Sequence, residues 1–496
     1  MSFYFLLVKL TMNFKNITLS LIFLSINLQI TTNQQIAQSQ TPPPVNTFLC
    51  PAQLNSSIPA IINNPLFRRV RWGILIQDIS SQQTLYSQDA EKFFIPASNT
   101  KLLTTAAALK ELGSQFRFRT SIYQEQDGAV RIVGRGDPSL TEAKLKLLAQ
   151  QLKQKGITAI KNLILDDSYI QGDIVNPTWQ WEDVQSDYGA PVSSFILNEN
   201  TFSFHIAPQN IGQPPTITGK DNDEIQQWDI INQAITVPRN QETSIEINRD
   251  LSGKTLRIRG QIAANSQPYV ATLPVIEPNQ YFLRRFLTIL ASEQITVDKT
   301  SISSSENYQN EIAFIESPPL SELLKETNVN SNNLYAESLL KALAIKKTKQ
   351  QNLNSADVGL EVLKNSLNQL GITPDSYLLA DGSGLSRRNL ISPEALVKTL
   401  QAIAKTPEAS IYRVSLPISG KNGTLKQRFR NTSAEGIVQA KTGTLRGAVS
   451  LSGYVNPPQY EPLVFSIIVN QSDQPSPVLR TAIDEIVILL TQLKKC

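Results

Sequence analysis

The chain has 496 residues and a formal net charge of +4, with 41% hydrophobic and 18% charged residues. Its length indicates two to three domains, and this composition is typical of a folded protein rather than a disordered one. The net charge is small, and the sequence contains no basic run and no alternation of basic with aromatic residues. These features argue against nucleic acid as a partner.

The first segment of the chain has the pattern of a targeting signal. An apolar stretch at 16–30 follows Lys15, and polar residues and a run of prolines at 42–44 come after it. Its uncharged core is short for a membrane span, so we interpret residues 1–40 as a secretory signal peptide and linker. No clear cleavage site is present, and an uncleaved anchor stays open as the alternative.

The predicted elements change character along the chain. Residues 51–125 contain two strand-like runs followed by an apolar helix, as in an α/β domain. Residues 125–310 consist mainly of short β-prone segments separated by Gly, Asn, Asp and Pro, with helical patterns near 141–155 and 280–293. From about residue 317 the chain is helical, and it ends in three strands and a last helix.

Few residues of this chain can act as metal ligands or as a histidine base. The single histidine, His205, alternates with apolar residues as in a strand, which disfavours both a Ser-His-Asp hydrolase and a histidine-based zinc enzyme. Cys50 and Cys496 are too few for a structural zinc site, so we expect no metal. Two free thiols and a disulfide both fit the sequence, and export favours a Cys50–Cys496 disulfide.

Ser98 and Lys101 open a helix that has no charged residue from Leu102 to Leu109. Such a helix is buried on all sides, and residues three positions apart share a face, so the serine hydroxyl and the lysine amine should meet. Burial destabilises an unpaired ammonium, and a neutral lysine can act as the base for a serine nucleophile. From this segment alone, a capping serine and a lysine that reaches solvent is the alternative interpretation.

Two further motifs follow this pair in the chain. Ser331 and Asn333 form an S-x-N motif before a predicted helix, and Lys441 begins K-T-G on a predicted strand. The patterns are short, and Ser338 with Lys341 forms a second S-x-x-K, so no motif is specific alone. Together, in this order, they are the set found in class A β-lactamases and penicillin-binding proteins.

With these motifs the chain resembles the D-alanyl-D-alanine carboxypeptidases of the penicillin-binding protein 4 (DacB) type, peptidase family S13. The resemblance runs from about Phe48 to the C-terminus. It is carried by the segments PASNTKL, LGSQFRFRT, GDPSL, WQWEDVQSDYGAPVS, NVNSNNLYAE, DGSGLSRRNLISP, LPISGKNGTLKQRF and AKTGTLRGAVSLSGYV. It implies an α/β (α+β) fold of the serine β-lactamase and DD-peptidase type, in which helices flank an antiparallel sheet, with a large β-rich insertion of two domains.

The long stretch between Lys101 and Ser331 predicts where this insertion lies, because so many residues must form cores of their own. The expected division is a DD-peptidase domain at 46–124 and 308–496, insertion domain II at 125–205 and 275–307, and a nested insertion domain III at 206–274.

The resemblance also implies a role for each catalytic residue. Ser98 is the nucleophile that becomes acylated, and Lys101 is its base. Burial and the nearby Lys441 ammonium should lower the pKa of Lys101 from about 10.4 to about 7. Ser331 relays a proton to the leaving amine, and Asn333 binds the amide of the substrate.

The K-T-G strand should bind the end of the substrate. The backbone N–H groups of Ser98 and Thr444 would form the oxyanion hole. Lys441, with the hydroxyls of Thr442 and Thr444, would hold the terminal carboxylate, and Gly443 would allow close approach to the strand.

A subsite for the free end of the stem-peptide side chain is also implied by the resemblance. Its candidates are Asp183, Tyr188, Arg387 and Leu445. An acid together with an arginine suits an amino-carboxylate end such as that of diaminopimelate. The alternative is that these are surface residues of an insertion loop.

The function implied is a serine-type D-Ala-D-Ala carboxypeptidase, and also a DD-endopeptidase, that acts on peptidoglycan stem peptides without a cofactor. β-Lactam antibiotics would be covalent inhibitors, and the enzyme would be exported to the periplasm or cell envelope of a bacterium, with a peripheral membrane contact left open. One rival is a serine β-lactamase, for which the sequence identifies no deacylating base. The other is a non-catalytic peptidoglycan-binding or β-lactam-sensing protein, against which the intact motifs argue.

Overall fold

The computed structural model describes residues 48–125, 128–219, 222–250, 253–305, 308–346 and 353–496. The predicted signal peptide and linker, residues 1–40, lie outside the described residues. Within the described ranges, no helix is both long enough and apolar enough to cross a membrane.

The α-helices of the described residues, in chain order, are α1 (Leu54–Ile62), α2 (Thr100–Leu112), α3 (Glu142–Gln154), α4 (Trp181–Val184), α5 (Asn222–Ile225), α6 (Pro278–Ser292), α7 (Leu320–Val329), α8 (Asn333–Leu343), α9 (Ser355–Gln369), α10 (Pro393–Ile403), α11 (Ala409–Val414) and α12 (Ser476–Thr491). The strands are β1 (Arg71–Asp78), β2 (Thr84–Gln88), β3 (Arg119–Gln124), β4 (Val130–Val133), β5 (Ala159–Ile160), β6 (Leu163–Asp166), β7 (Thr201–Ala207), β8 (Thr216–Gly219), β9 (Asp229–Asn232), β10 (Ile235–Val237), β11 (Ser244–Arg249), β12 (Thr255–Ala263), β13 (Tyr269–Pro274), β14 (Thr296–Val297), β15 (Thr300–Ile302), β16 (Glu311–Glu316), β17 (Tyr377–Leu378), β18 (Leu390–Ile391), β19 (Val438–Leu445), β20 (Ala448–Val455) and β21 (Leu463–Asn470).

One five-stranded sheet joins the two ends of the chain. Its strand order is β19-β20-β21-β1-β2, and every neighbouring pair is antiparallel. Strand β1 pairs along its whole length with β21, from Arg71 opposite Asn470 to Asp78 opposite Leu463. Strands β20 and β21 are buried at every position, which requires a layer of helices on each face of the sheet.

Alternate residues of β1 enter two different cores, because successive side chains of a strand point to opposite faces. Ile74 and Ile76 pack with α1 and α12, whereas Leu75 packs in the core that contains α2, α8 and α10. Helix α2 is surrounded by α7, α8, α9 and α10, and its residues from Thr100 to Leu109 are all buried. The predicted helix without charged residues is therefore confirmed as a central helix.

The sequence between α2 and α7 forms further sheets with a shared core. The described residues of this stretch form a five-stranded mixed sheet, β15-β6-β4-β3-β16, and a three-stranded sheet, β13-β7-β8. They also form a four-stranded sheet of β9 to β12 and a two-stranded sheet, β14-β5. Ile122 of the mixed sheet, Phe204 of β7 and Leu256 of β12 belong to a single apolar cluster, to which α3 and α6 also contribute. The β-rich character expected of this region is present.

The pairing of these strands bears on the expected domain boundaries. Strand β3 pairs with β4 and β16, so residues 119–124 and 311–316 share a sheet with the insertion rather than with β1. The expected limit between residues 205 and 206 falls inside β7, whose partners are β13 and β8. Because cutting a strand would unpair its ladder, we propose insertion boundaries near residues 118 and 317 and keep β7 and β13 in one unit.

The first described residues lie beside the last helix. Leu49 N donates to Gln492 O (2.9 Å), and Lys494 N donates to Leu49 O (3.0 Å). Cys50 and Cys496 are joined as a disulfide, with 5.8 Å between their Cα atoms.

Candidate active site

The turn that carries Ser98 is attached to the five-stranded sheet. Ser98 lies in a short 3-10 turn directly before α2. Asn99 Nδ2 donates to Ser452 Oγ (2.8 Å), and Ser450 Oγ donates to Pro96 O (2.7 Å). Since Ser450 and Ser452 both belong to β20, this strand fixes the position of the serine hydroxyl relative to the sheet.

Lys101 is fully buried in the first turn of α2, and three polar atoms surround its amine. Lys101 Nζ lies 3.0 Å from Ser98 Oγ, 2.6 Å from Asn333 Oδ1 and 2.8 Å from the carbonyl oxygen of Ser383. The last two atoms can only accept hydrogen bonds. A neutral amine that donates its two N–H groups to them would therefore direct its lone pair at the Ser98 hydroxyl.

Burial lowers the pKa of Lys101 to about 7, and the carboxylates of Asp381 and Glu337 act in the opposite direction. The pKa of Lys441 is also well below its ordinary value, through burial and then through the positive charge of Lys101. Sequence analysis expected the Lys441 charge to help lower the pKa of Lys101. The charge of Lys101 is a cause of the low pKa of Lys441, whereas burial is what lowers the pKa of Lys101.

The residues of the second and third motifs meet beside this pair. Lys441 Nζ donates to Ser331 Oγ (2.7 Å) and to Thr442 O (2.9 Å). Asn333, the first residue of α8, contacts Lys101 through its Oδ1 and donates from Nδ2 to Tyr188 O (2.9 Å). The five predicted catalytic residues thus form two adjoining hydrogen-bonded groups, Ser98–Lys101–Asn333 and Ser331–Lys441.

Strand β19, which carries the K-T-G motif, is the edge of the sheet that lies against the Ser98 turn. A Cβ atom on Gly443 would lie 2.2 Å from Ser450 Oγ, 2.6 Å from Pro96 O and 3.0 Å from Ser98 N. Glycine therefore allows close packing of the strand on the nucleophile turn, in addition to the substrate approach that the sequence suggested.

The threonine hydroxyls of β19 have partners from other elements. Thr442 Oγ1 donates to Thr424 Oγ1 (2.8 Å), and Arg480 Nη2 of α12 donates to Thr444 Oγ1 (3.3 Å). Thr424 and Arg480 were not identified from the sequence. Thr424 stands in the segment KNGTLKQRF, and only the fold shows that this segment passes beside β19.

The four candidates for the side-chain subsite come from three separate segments. Tyr188 Oη donates to Asp183 Oδ1 (3.3 Å), and burial raises the pKa of Asp183 while the charge of Arg387 lowers it. Arg387 Nη1 donates to the carbonyl oxygen of Arg446 (3.0 Å), the residue after Leu445. The acid and the arginine are thus close enough to interact electrostatically, and Arg387 contacts the end of β19.

Two buried carboxylates near the site were missed by sequence reasoning. Asp381 accepts from Gly384 N (2.7 Å) and Ser386 N (2.6 Å), and Glu337 accepts from the backbone of the same turn. The only sequence signal was the glycine-rich segment DGSGLSRRN, and for Glu337 its position one helical turn after Asn333.

The family model for D-Ala-D-Ala carboxypeptidase 3 (S13) matches residues 54–493 of this chain. The chain belongs to the S13 family. As a member of this family, it is a serine-type D-Ala-D-Ala carboxypeptidase, and the activity predicted from the motifs is confirmed.

Relatives cover most of the chain. It is 31% identical over 461 residues to the penicillin-sensitive carboxypeptidase A of Dictyostelium discoideum, covering 85% of this chain and 87% of the relative. It is 30% identical over 449 residues to a D-alanyl-D-alanine carboxypeptidase of Actinomadura sp., covering 86% of this chain and 82% of the relative. The crystal structure of penicillin-binding protein 4 (dacB) from Haemophilus influenzae matches with a TM-score of 0.78 at 25% identity, covering 87% of this S13 chain and 98% of the other. The predicted fold class is confirmed.

Proposed function

We propose that this S13 enzyme cleaves the terminal D-Ala–D-Ala bond of peptidoglycan stem peptides through an acyl-enzyme on Ser98. The observation that supports this best is the 3.0 Å contact between Ser98 Oγ and a buried Lys101 whose pKa is about 7. With that pKa, about half of the lysine is neutral at pH 7 and can accept a proton. This removes the need for a histidine base, which the sequence does not supply near Ser98.

In the acylation step, Ser98 Oγ attacks the carbonyl carbon and its proton passes to Lys101 Nζ. The negative charge on the carbonyl oxygen is held by the N–H groups of Ser98 and Thr444. When the C–N bond breaks, the proton reaches the leaving D-Ala amine through Ser331. The hydrogen bond from Lys441 orients Ser331 for that transfer. Water then attacks the ester, with Lys101 again as base, and releases the shortened peptide.

The K-T-G strand is the proposed site of the substrate's terminal carboxylate. A bound carboxylate would favour the charged form of Lys441, whose pKa burial lowers, and the hydroxyls of Thr442 and Thr444 would supply hydrogen-bond donors. Gly443 removes a side chain from the middle of this strand. As an edge strand, β19 can also pair with an extended peptide backbone, and the Asn333 amide would hold the substrate amide on the opposite side.

For the free end of the stem-peptide side chain we propose the subsite formed by Asp183, Tyr188, Arg387 and Leu445. Asp183 would accept from an ammonium group, and Arg387 would bind a carboxylate. The electrostatic interaction of Asp183 with Arg387 supports this grouping. It also supports an amino-carboxylate end as the preferred ligand.

Three further properties are part of the proposal. β-Lactams should acylate Ser98, since one relative is named penicillin-sensitive and a structural neighbour is a penicillin-binding protein. Endopeptidase cleavage of cross-links is proposed because it needs the same bond and the same nucleophile. Export to the periplasm or cell envelope is supported by the disulfide, since disulfides persist in oxidising compartments.

The nucleophile is tested by Ser98→Ala, which should abolish both labelling by fluorescent penicillin and release of D-Ala from a pentapeptide. Ser338→Ala is the matched control, because Ser338 belongs to the second S-x-x-K and is buried away from Ser98 in α8. Labelling retained by Ser98→Ala would refute the assignment. Rapid turnover of nitrocefin without a stable adduct would favour the β-lactamase alternative.

A further inference from the structure

Glu337 lies on α8, one helical turn after Asn333, and only 3% of it is exposed. Its Oε1 atom accepts two backbone hydrogen bonds, from Gly382 N (2.9 Å) and Ser383 N (2.7 Å). The carbonyl oxygen of Ser383 in turn accepts a hydrogen bond from Lys101 Nζ (2.8 Å). One carboxylate therefore connects through a single peptide turn to the proposed base.

We propose that Glu337 is a positioning residue for the reaction: its carboxylate fixes the Gly382–Ser383 backbone, which holds the amine of Lys101 against Ser98. This inference rests on the acyl-enzyme mechanism proposed above. Glu337 contacts neither substrate nor nucleophile in this arrangement, so it acts through the turn.

The turn is held from other sides as well. Thr104 Oγ1 of α2 donates to the carbonyl oxygen of Gly382 (2.7 Å). Gly384 has φ +83°, and a Cβ atom there would lie 1.9 Å from Ala97 O, in the residue before the nucleophile. The turn therefore packs on both the helix of Lys101 and the turn of Ser98. A displacement of Gly382 and Ser383 would change the geometry of the serine–lysine pair.

The charge of Glu337 also affects the pKa of Lys101, and several charged groups surround it. Glu337 interacts electrostatically with Asp381 in the turn and with Lys341 on its own helix. It also interacts with Lys101 on α2. A cavity of about 450 Å³ beside it is further lined by Asp173, Asp357 and Lys364. Burial and then the charge of Asp381 raise the pKa of Glu337, whereas burial lowers that of Lys341.

The negative form of Glu337 raises the pKa of Lys101 against the effect of burial. Because the pKa of Glu337 is itself raised to about 7, its carboxylate is charged mainly at and above neutral pH. Removing that charge should lower the pKa of Lys101 further in this range. The neutral amine would then be available at lower pH. The acid limb of the pH profile of kcat/KM should accordingly move to lower pH.

Two substitutions separate position from charge. Glu337→Asp keeps the charge but withdraws the carboxylate by one methylene, and it should reduce kcat/KM for a D-Ala–D-Ala peptide and the rate of penicillin acylation by at least about tenfold. Glu337→Gln keeps the length and an acceptor for both N–H groups. It should retain more activity than Glu337→Asp and should shift the acid limb by about half a pH unit or more toward lower pH.

The control is Ser338→Ala on the same buried helix, which should leave both the rate and the pH profile unchanged. Wild-type kinetics for Glu337→Asp would overturn the positioning role. A Glu337→Gln profile that superimposes on the wild-type profile would overturn the electrostatic role. Thermal melting identifies a variant that does not fold. In that case the kinetics of the other Glu337 variant test the proposal. Failure of the acyl-enzyme mechanism itself would instead appear in the wild type and in Ser98→Ala.

Discussion

At the scale of single residues, the proposed chemistry depends on buried lysines, and the structure distinguishes three of them. An ammonium is costly to bury unless it has partners. Lys101 has Ser98 within hydrogen-bond distance, and Lys441 has Ser331. Lys341, of the second S-x-x-K, instead donates to the backbone carbonyls of Asp173 and Val192 (2.7 and 2.8 Å). The same sequence pattern therefore gives a serine–lysine pair at the start of α2. In α8 it gives a lysine that binds the backbone of the insertion.

The side-chain subsite leads to a prediction at this scale. Asp183→Ala should reduce kcat/KM by roughly 10- to 150-fold for a peptide with a free amino-carboxylate side chain, because one charge-assisted contact is worth about 1.5–3 kcal/mol. Penicillin acylation should be unaffected, since penicillin has no such group. The measurement compares this peptide with one whose side-chain amine is acetylated.

Asp187→Ala is the matched control for that experiment, because Asp187 is an exposed carboxylate in the same segment that accepts from Tyr188 N (2.8 Å). Equal losses on the free and the acetylated peptide in Asp183→Ala would show that Asp183 supports the loop rather than the ligand.

At the scale of elements, the site depends on how closely β19 approaches the N-terminal end of α2. Within the five-stranded sheet β19 pairs with β20, and its other side makes a bridge from Gln439 to Ile418. Strand β20 also binds the Ser98 turn through Ser450 and Ser452. The same strand thus fixes the proposed nucleophile and the K-T-G motif. This common support explains how residues 98 and 441 keep a constant separation.

Gly443→Ala tests this packing. The added methyl group would overlap Ser450 Oγ and Pro96 O, so β19 or the Ser98 turn must move. We expect a loss of about 1–3 kcal/mol of stability and at least a tenfold slower acylation by penicillin. The measurements are thermal unfolding and stopped-flow acylation.

Gly113→Ala serves as a control for glycine replacement, since a Cβ atom there meets nothing within 4 Å, although its φ of +81° is strained. It should lose stability but keep the acylation rate. Unchanged acylation in Gly443→Ala would contradict the close approach described above.

At the scale of the whole molecule, the insertion supports the catalytic cleft as well as extending from it. Trp179 Nε1 donates to Asp381 Oδ2 (2.9 Å), and Asn176 Nδ2 donates to Ala380 O (2.8 Å). These contacts hold the turn that receives Lys101. The disulfide between Cys50 and Cys496 joins two segments that are 446 positions apart in the sequence.

The disulfide gives the prediction that belongs to this scale. Replacement of Cys496 by serine should lower the free energy of unfolding by about 2–5 kcal/mol, because the cross-link restricts the unfolded chain over a long loop. Thermal unfolding with and without reductant measures the effect. Denatured but unreduced wild-type protein should show no titratable thiol, and two thiols would refute the pairing.

The family, the fold class and the order of the motifs follow from the amino-acid sequence alone. Local patterns suffice for these features. An uncharged run such as 102–109 indicates a helix that is buried on all sides, and three motifs in a fixed order predict the roles of Ser98 and Lys101. The β-rich character of the insertion was also predictable, since short β-prone segments and turn residues are local properties.

The groups that surround Lys101 are set by tertiary packing. Glu337 and Asp381 are distant from Lys101 in sequence, and their approach depends on how α8 and the glycine-rich turn pack on α2. Strand pairing likewise joins β3 to β16 across nearly two hundred residues, which no local pattern reveals. Contacts between segments far apart in the chain follow from the packing of whole elements, and so does the balance of burial and charge that sets the pKa of Lys101.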